Sequence, residues 1–155
     1  MLASALSACY ACDHNNEFAN LPRRDHTIVE RGWIAAHVIN CALPGWLVLL
    51  PLGHVEKLHE LSAEEESALG DLRTRLSSVL VAVTSCTKTY VVLFAEAPGF
   101  THLHSHLVPR MSAFRDAQIG IGVFDYLSRP EADWVTAAER DDIARQVRAA
   151  LEVIT

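Results

Sequence analysis

Thr101-His102-Leu103-His104-Ser105-His106-Leu107-Val108-Pro109-Arg110 sets the reading of the whole chain. His102, His104 and His106 are two residues apart. In an extended strand, side chains at i, i+2 and i+4 share a face. The three imidazoles would then stand in a row, with Leu103, Ser105 and Leu107 opposite. A lone strand histidine is ordinarily a packing or edge residue. Three in strict alternation are better explained by chemistry, because imidazole is both a metal ligand and a nucleophile. A catalytic metal held by all three is one alternative.

The rest of the chain supplies elements for such a strand to pair with. His26 to Glu30 predicts a first strand, with a turn at Gly32. Trp33 to Ile39 predicts a second, and Trp46 to Leu50 a buried third between Gly45 and Pro51. The short Pro44-Gly45 turn makes the latter two an antiparallel hairpin. Lys88 to Ala95 and Thr101 to Val108 predict another. Ser62 to Val83 reads as a helix. Ser62 and Glu65 form a capping box, and Leu69, Leu72, Leu76, Leu80 and Val83 share one face. A second capping box, Thr136 with Glu139, opens a C-terminal helix marked by Ile143, Val147 and Leu151. Residues 1–25 read mostly as loop, and Gly120 to Phe124 as a flexible stretch. The fold class is α+β: an antiparallel sheet of about five strands, one main helix packed on it and a terminal helix.

Composition bounds the function. A chain of 155 residues that is 50% hydrophobic has enough material for one compact domain. We divide it into a core at 9–112 and an extension at 113–155. No apolar run is long enough to span a bilayer. The first eight residues lack a basic start and are too short for a signal peptide, so a cytoplasmic location is expected. A formal charge of −6 argues against a broad nucleic-acid surface. Of four cysteines, Cys9 and Cys12 form a Cys-x-x-Cys pair suited to a metal or redox role. Cys41 and Cys86 read as buried thiols.

The His-x-His-x-His run resembles the signature of the histidine triad superfamily. Leu43-Pro44-Gly45-Trp46 through Pro51-Leu52-Gly53-His54 resembles its Pro-Gly-His, apolar strand, Pro-x-x-His segment. Cys9-Tyr10-Ala11-Cys12 resembles the opening of its zinc-containing members. The resemblance spans Cys9 to Arg110 and implies the same fold, with subunits paired as a homodimer. It implies that His104 is the nucleophile, forming a nucleotidyl-histidine intermediate, and that His106 lines the phosphate site. It implies one structural zinc per chain, held by Cys9, Cys12, His54 and His102. The set suits a structural site, which takes thiolate and imidazole ligands and leaves no position open to water. His14 and His59 read as solvated. Ile39 and Asn40 match the nucleoside-binding segment, and the backbone at Gly99 can approach a phosphate. Arg110 reads as a surface residue. Val38 stands where many members carry an acid, and Trp46 where they carry histidine.

The expected function is hydrolysis of nucleoside phosphate anhydrides, diadenosine tetraphosphate being the first candidate. A nucleotidyl transferase or phosphorylase, or a nucleoside phosphoramidate hydrolase, would use the same chemistry. A zinc-stabilised nucleotide-binding protein with little activity is the alternative from another class.

Overall fold

The computed structural model describes residues 9–154. The apolar opening of the chain, weighed above as a leader, lies outside them. Five strands form one antiparallel sheet: β1 (Ile28–Glu30), β2 (Trp33–His37), β3 (Leu47–Pro51), β4 (Lys88–Val92) and β5 (Ser105–Arg110). Their spatial order is β1-β2-β3-β5-β4, so β5 is inserted between β3 and β4. Three helices accompany them: α1 (Tyr10–Glu17), α2 (Ala63–Thr84) and α3 (Ala137–Ile154). Among the described residues, no helix is long and apolar enough to cross a membrane.

The turns follow from local chemistry. Arg31 and Gly32 both take positive φ, 49° and 80°, which turns β1 directly into β2 with Glu30 opposite Trp33. Gly45 turns β2 toward β3 at φ 85°. A β-carbon there would lie 2.6 Å from the Thr84 methyl, so the turn needs glycine for space as well as for conformation.

One face of the sheet packs on α2. Leu69, Leu72, Leu76, Val79 and Leu80 are buried against Leu47, Leu49, Leu103 and Leu107. Ile143, Val147 and Leu151 of α3 join the same core, as their spacing predicts. The opposite face carries a second cluster of Cys41, Leu43, Trp46, Val108, Phe114 and Val123. It is completed from the C-terminal part of the chain, where the stretch read as flexible is a 3₁₀ helix over Gly120–Leu127.

Both predicted capping boxes form. The Ser62 hydroxyl accepts from the Glu65 amide at 3.2 Å, and the Glu65 carboxylate accepts from the Ser62 amide at 2.7 Å. Ser62→Ala should lower stability by about 1 kcal/mol, measured as a shift in the urea midpoint at unchanged slope.

Two sequence expectations need correction. Residues 10–17, read as loop, are helical. The triad does not lie wholly on a strand, because β5 begins only at Ser105. The β4–β5 ladder ends at Val92 opposite His106, and Ala95 then takes φ 52°, turning the partner strand away. Leu103 donates its amide to the Val55 carbonyl at 2.6 Å instead. The alternation of faces nevertheless persists through the non-strand residues. Leu103, Ser105 and Leu107 are fully buried, whereas all three histidines line a cleft.

Candidate active site and metal centre

The cleft opens on the sheet face away from α2. Its floor is Ala36, Val48 and Leu50, with Val38 and Ile39 at the end of β2. Tyr10, Ala11 and His14 of α1 form one wall, and Phe100 meets Tyr10 with ring centroids 5.3 Å apart. Asp25, His37 and the triad imidazoles complete the lining. His14, read from sequence as solvated, is therefore a wall residue. Ile39 lines the cleft as expected. Asn40 and Gly99 are not lining residues; each is adjacent in sequence to one, Ile39 and Phe100. Asn40 is exposed at φ 53°, a conformation asparagine tolerates better than most residues. Arg110 donates to the Met111 carbonyl, away from the cleft.

Hydrogen bonds fix the imidazole tautomers. His104 Nδ1 lies 2.7 Å from the His102 carbonyl oxygen. A carbonyl only accepts, so Nδ1 carries the proton and Nε2 keeps its lone pair. His102 Nε2 is 2.9 Å from the Pro51 carbonyl oxygen by the same logic, which frees its Nδ1. His106 Nδ1 accepts from the Trp46 indole N–H at 3.0 Å, so its proton is on Nε2. The His104 and His106 rings meet edge to face at 4.9 Å. His37 was missed from sequence. Its Nδ1–H donates to the Val38 carbonyl at 2.8 Å and its Nε2 accepts from the Gly45 amide at 3.0 Å, bracing the turn.

Burial holds His37 and His106 at about 4, with the charge of His104 adding to the effect at His106. The sign of the pH dependence follows. Between the ordinary value of about 6.5 and about 4, the unfolded chain binds protons that the folded chain refuses. Stability should be complete above pH 6.5 and decline as the pH falls toward 4. Urea midpoints at pH 7 and pH 5 measure this, and His37→Gln should make the decline shallower.

Behind the triad lies a group of four donors. One ligand atom each from Cys9, Cys12, His54 and His102 lies within 4.8 Å of the others. Cys9 Sγ is 3.7 Å and Cys12 Sγ 3.6 Å from His102 Nδ1, and Cys12 Sγ is 3.2 Å from His54 Nδ1. Zinc bonds of about 2.3 Å to sulfur and 2.0 Å to nitrogen set tetrahedral ligands roughly 3.3–3.8 Å apart. The four donors therefore fit one metal ion. Desolvation, with Cys9 alongside, pushes the Cys12 thiol up to about 11. A bound cation is what would let both sulfurs ionise side by side. The outer hydrogen bond of His102 to Pro51 orients that ligand, as second partners of metal-bound histidines do. Asn15, which sequence reasoning passed over as a turn residue, ties α1 down beside this group. Its amide donates to the Pro51 and Leu52 carbonyls at 2.9 and 3.2 Å.

No family model matches the sequence, and no curated protein matches it. Solved structures do. A Zn-bound histidine triad family protein from Mycobacterium smegmatis superposes with a TM-score of 0.68 at 16% identity, over 95% of both chains. The chain has the histidine triad fold. A hypothetical histidine triad nucleotide-binding protein from Sulfolobus tokodaii gives a TM-score of 0.71 at 15% identity, over 94% of this chain and 93% of that one. Diadenosine triphosphate hydrolase from Plasmodium falciparum gives 0.62 at 14% identity, over 86% and 80%. On this histidine triad fold, the row of imidazoles faces a cleft on one side, and its first member turns back into the four-donor group.

Proposed function

We propose that this protein hydrolyses nucleoside phosphate anhydrides through a nucleotidyl intermediate on His104. The observation that carries the reading is the 2.7 Å contact between His104 Nδ1 and the His102 carbonyl, which leaves Nε2 unprotonated at the cleft. Nε2 would attack phosphorus and expel the distal phosphate. Water would then cleave the phosphorus–nitrogen bond and release the nucleotide. The Nε2–H of His106 would donate to a phosphoryl oxygen as its charge grows. The apolar floor with Ile39 suits a base or ribose. Asn40 and the Gly99 backbone, each next in sequence to a lining residue, are the proposed polar contacts to the substrate.

Zinc is the metal proposed for Cys9, Cys12, His54 and His102, one ion per chain. Bound there it would serve structure, joining α1 to the sheet, while the imidazole of His104 carries out the chemistry. The reading includes a homodimer. Val91 on the edge strand β4 and the nearby Phe94 are half-exposed apolar residues suited to meeting a second copy.

The test is incubation with diadenosine tetraphosphate, followed by product separation and a rapidly quenched intact-mass spectrum. AMP and ATP, with a transient nucleotidyl adduct on the protein, are expected. Products without any adduct would leave hydrolysis standing and remove the covalent route. Nucleotide binding with neither product nor adduct would favour the binding-protein alternative.

A further inference from the structure

Five imidazoles line the cleft: His14, His37, His102, His104 and His106. Four have one or both ring nitrogens held by partners that fix the tautomer. His37 is held between the Val38 carbonyl and the Gly45 amide. His102 donates to Pro51 and turns Nδ1 to the cysteines. His104 donates to a carbonyl and keeps Nε2 for attack. His106 accepts from Trp46 and has one proton, on Nε2. The fifth, His14, stands across the cleft on α1, with Nδ1 3.4 Å from Asn15 Oδ1.

The Trp46 contact decides what His106 can do. Indole Nε1–H is a donor only. His106 could transfer its Nε2 proton only by receiving another at Nδ1, and the indole occupies that position without being able to supply one. The Trp46 ring is fully buried and held edge-on by both His106 and Phe124, at 5.7 and 5.5 Å, so it has no room to swing aside. His106 is thereby a fixed hydrogen-bond donor and not a proton carrier.

The leaving group feels the consequence. When His104 Nε2 bonds to phosphorus in an anhydride, the P–O bond breaks and its electron pair stays on the departing phosphate oxygen. Phosphate has a second pKa of about 6, so it leaves as an anion without being handed a proton. In a phosphoramidate the P–N bond breaks instead. Its electron pair would remain on an amide anion unless the nitrogen is protonated first. Resting on the hydrolase reading above, we propose that Trp46 is a positioning residue that fixes His106 as a neutral Nε2–H donor, and that the cleft therefore selects nucleoside phosphates whose leaving group departs as an anion over those that must release an amine.

The test compares kcat/KM for diadenosine tetraphosphate and adenosine 5′-phosphoramidate in the wild-type protein and in Trp46→Phe, alongside ¹⁵N imidazole spectra of both. A positioned acid contributes about 10²-fold or more, so the wild type should favour the anhydride by about 100-fold. Its His106 should show the Nε2–H tautomer alone. Trp46→Phe keeps an aromatic ring but removes the donor. It should mix the tautomers and narrow the preference by about tenfold. Wild-type rates for the two substrates within tenfold of each other would overturn the proposal, and would identify another acid such as His14. A preference unmoved in Trp46→Phe despite a changed tautomer would overturn it as well. If that variant does not fold, the wild-type ratio and tautomer decide by themselves. Cleavage of neither substrate would instead remove the hydrolase reading, and this inference with it.

Discussion

His104→Ala should reduce turnover of diadenosine tetraphosphate by about 10⁴-fold or more while leaving the protein folded and its metal bound. The size follows from the proposed role, since removing a nucleophile removes the route and not one contact along it. The selectivity follows from the surroundings. His104 is half-buried; it makes a local hydrogen bond to the His102 carbonyl and an edge-to-face ring contact with His106. Truncation opens no cavity in the Leu69–Leu80 core on the other face of the sheet. The four metal donors do not include it, and its one bond to that group is to the His102 backbone carbonyl, not to the ligand imidazole. Steady-state rates, thermal melting and zinc content measured on the same preparation separate the effects. Activity within tenfold of wild type would show that another group attacks phosphorus.

Removing the metal should destabilise the protein by about 4 kcal/mol when free zinc had stood roughly 1,000-fold above its dissociation constant. At about 2–4 °C per kcal/mol for a chain of this size, the melting temperature should fall by about 8–16 °C on chelation. Apart from the Asn15 bonds to Pro51 and Leu52 and the Tyr10–Phe100 contact, the helix concerned has little to hold it. α1 has eight residues, and Asn15 is its buried one. Cys9 at its N-cap makes no capping side-chain hydrogen bond. Isolated helices of such length are marginal in water. Calorimetry with and without chelator gives the shift, and Cys12→Ala should melt low in both conditions. A melting temperature indifferent to chelation and to this substitution would refute a structural metal.

The two core helices and the sheet were legible because each signals itself within a few residues. The Ser62–Glu65 box and the Leu69-Leu72-Leu76-Leu80 stripe mark α2. Continuous apolar runs flanked by glycine and proline mark β3. The triad was legible as a pattern of faces, and it survives even where the strand does not. What escaped was held by long-range partners. The Asp13-His14-Asn15-Asn16 stretch has no apolar periodicity; its helix depends on thiols and an amide whose partners lie beyond residue 50. His37 offers no local motif, and its role appears only when the turn brings Gly45 back to it. The 3₁₀ helix over Gly120–Leu127 is organised by packing Phe124 on Trp46 and Phe94, residues far earlier in the chain. In the metal group, the Cys9-x-x-Cys12 pair and the place of His102 in the alternating row were visible without a resemblance, whereas His54 was not.

The long spans within that metal group also dictate an order of assembly. Cys12 meets His54 across 42 positions, and Cys9 meets His102 across 93. At about 5–20 residues per second, a ribosome takes roughly 5–19 s to pass from Cys9 to His102. During that interval both thiols exist without their full set of partners, open to oxidants and to competing ions. The segment of the cleft translated first is thus among the last to be locked in place. Newly made chains should carry their greatest redox and metal sensitivity in those seconds, before the triad has emerged.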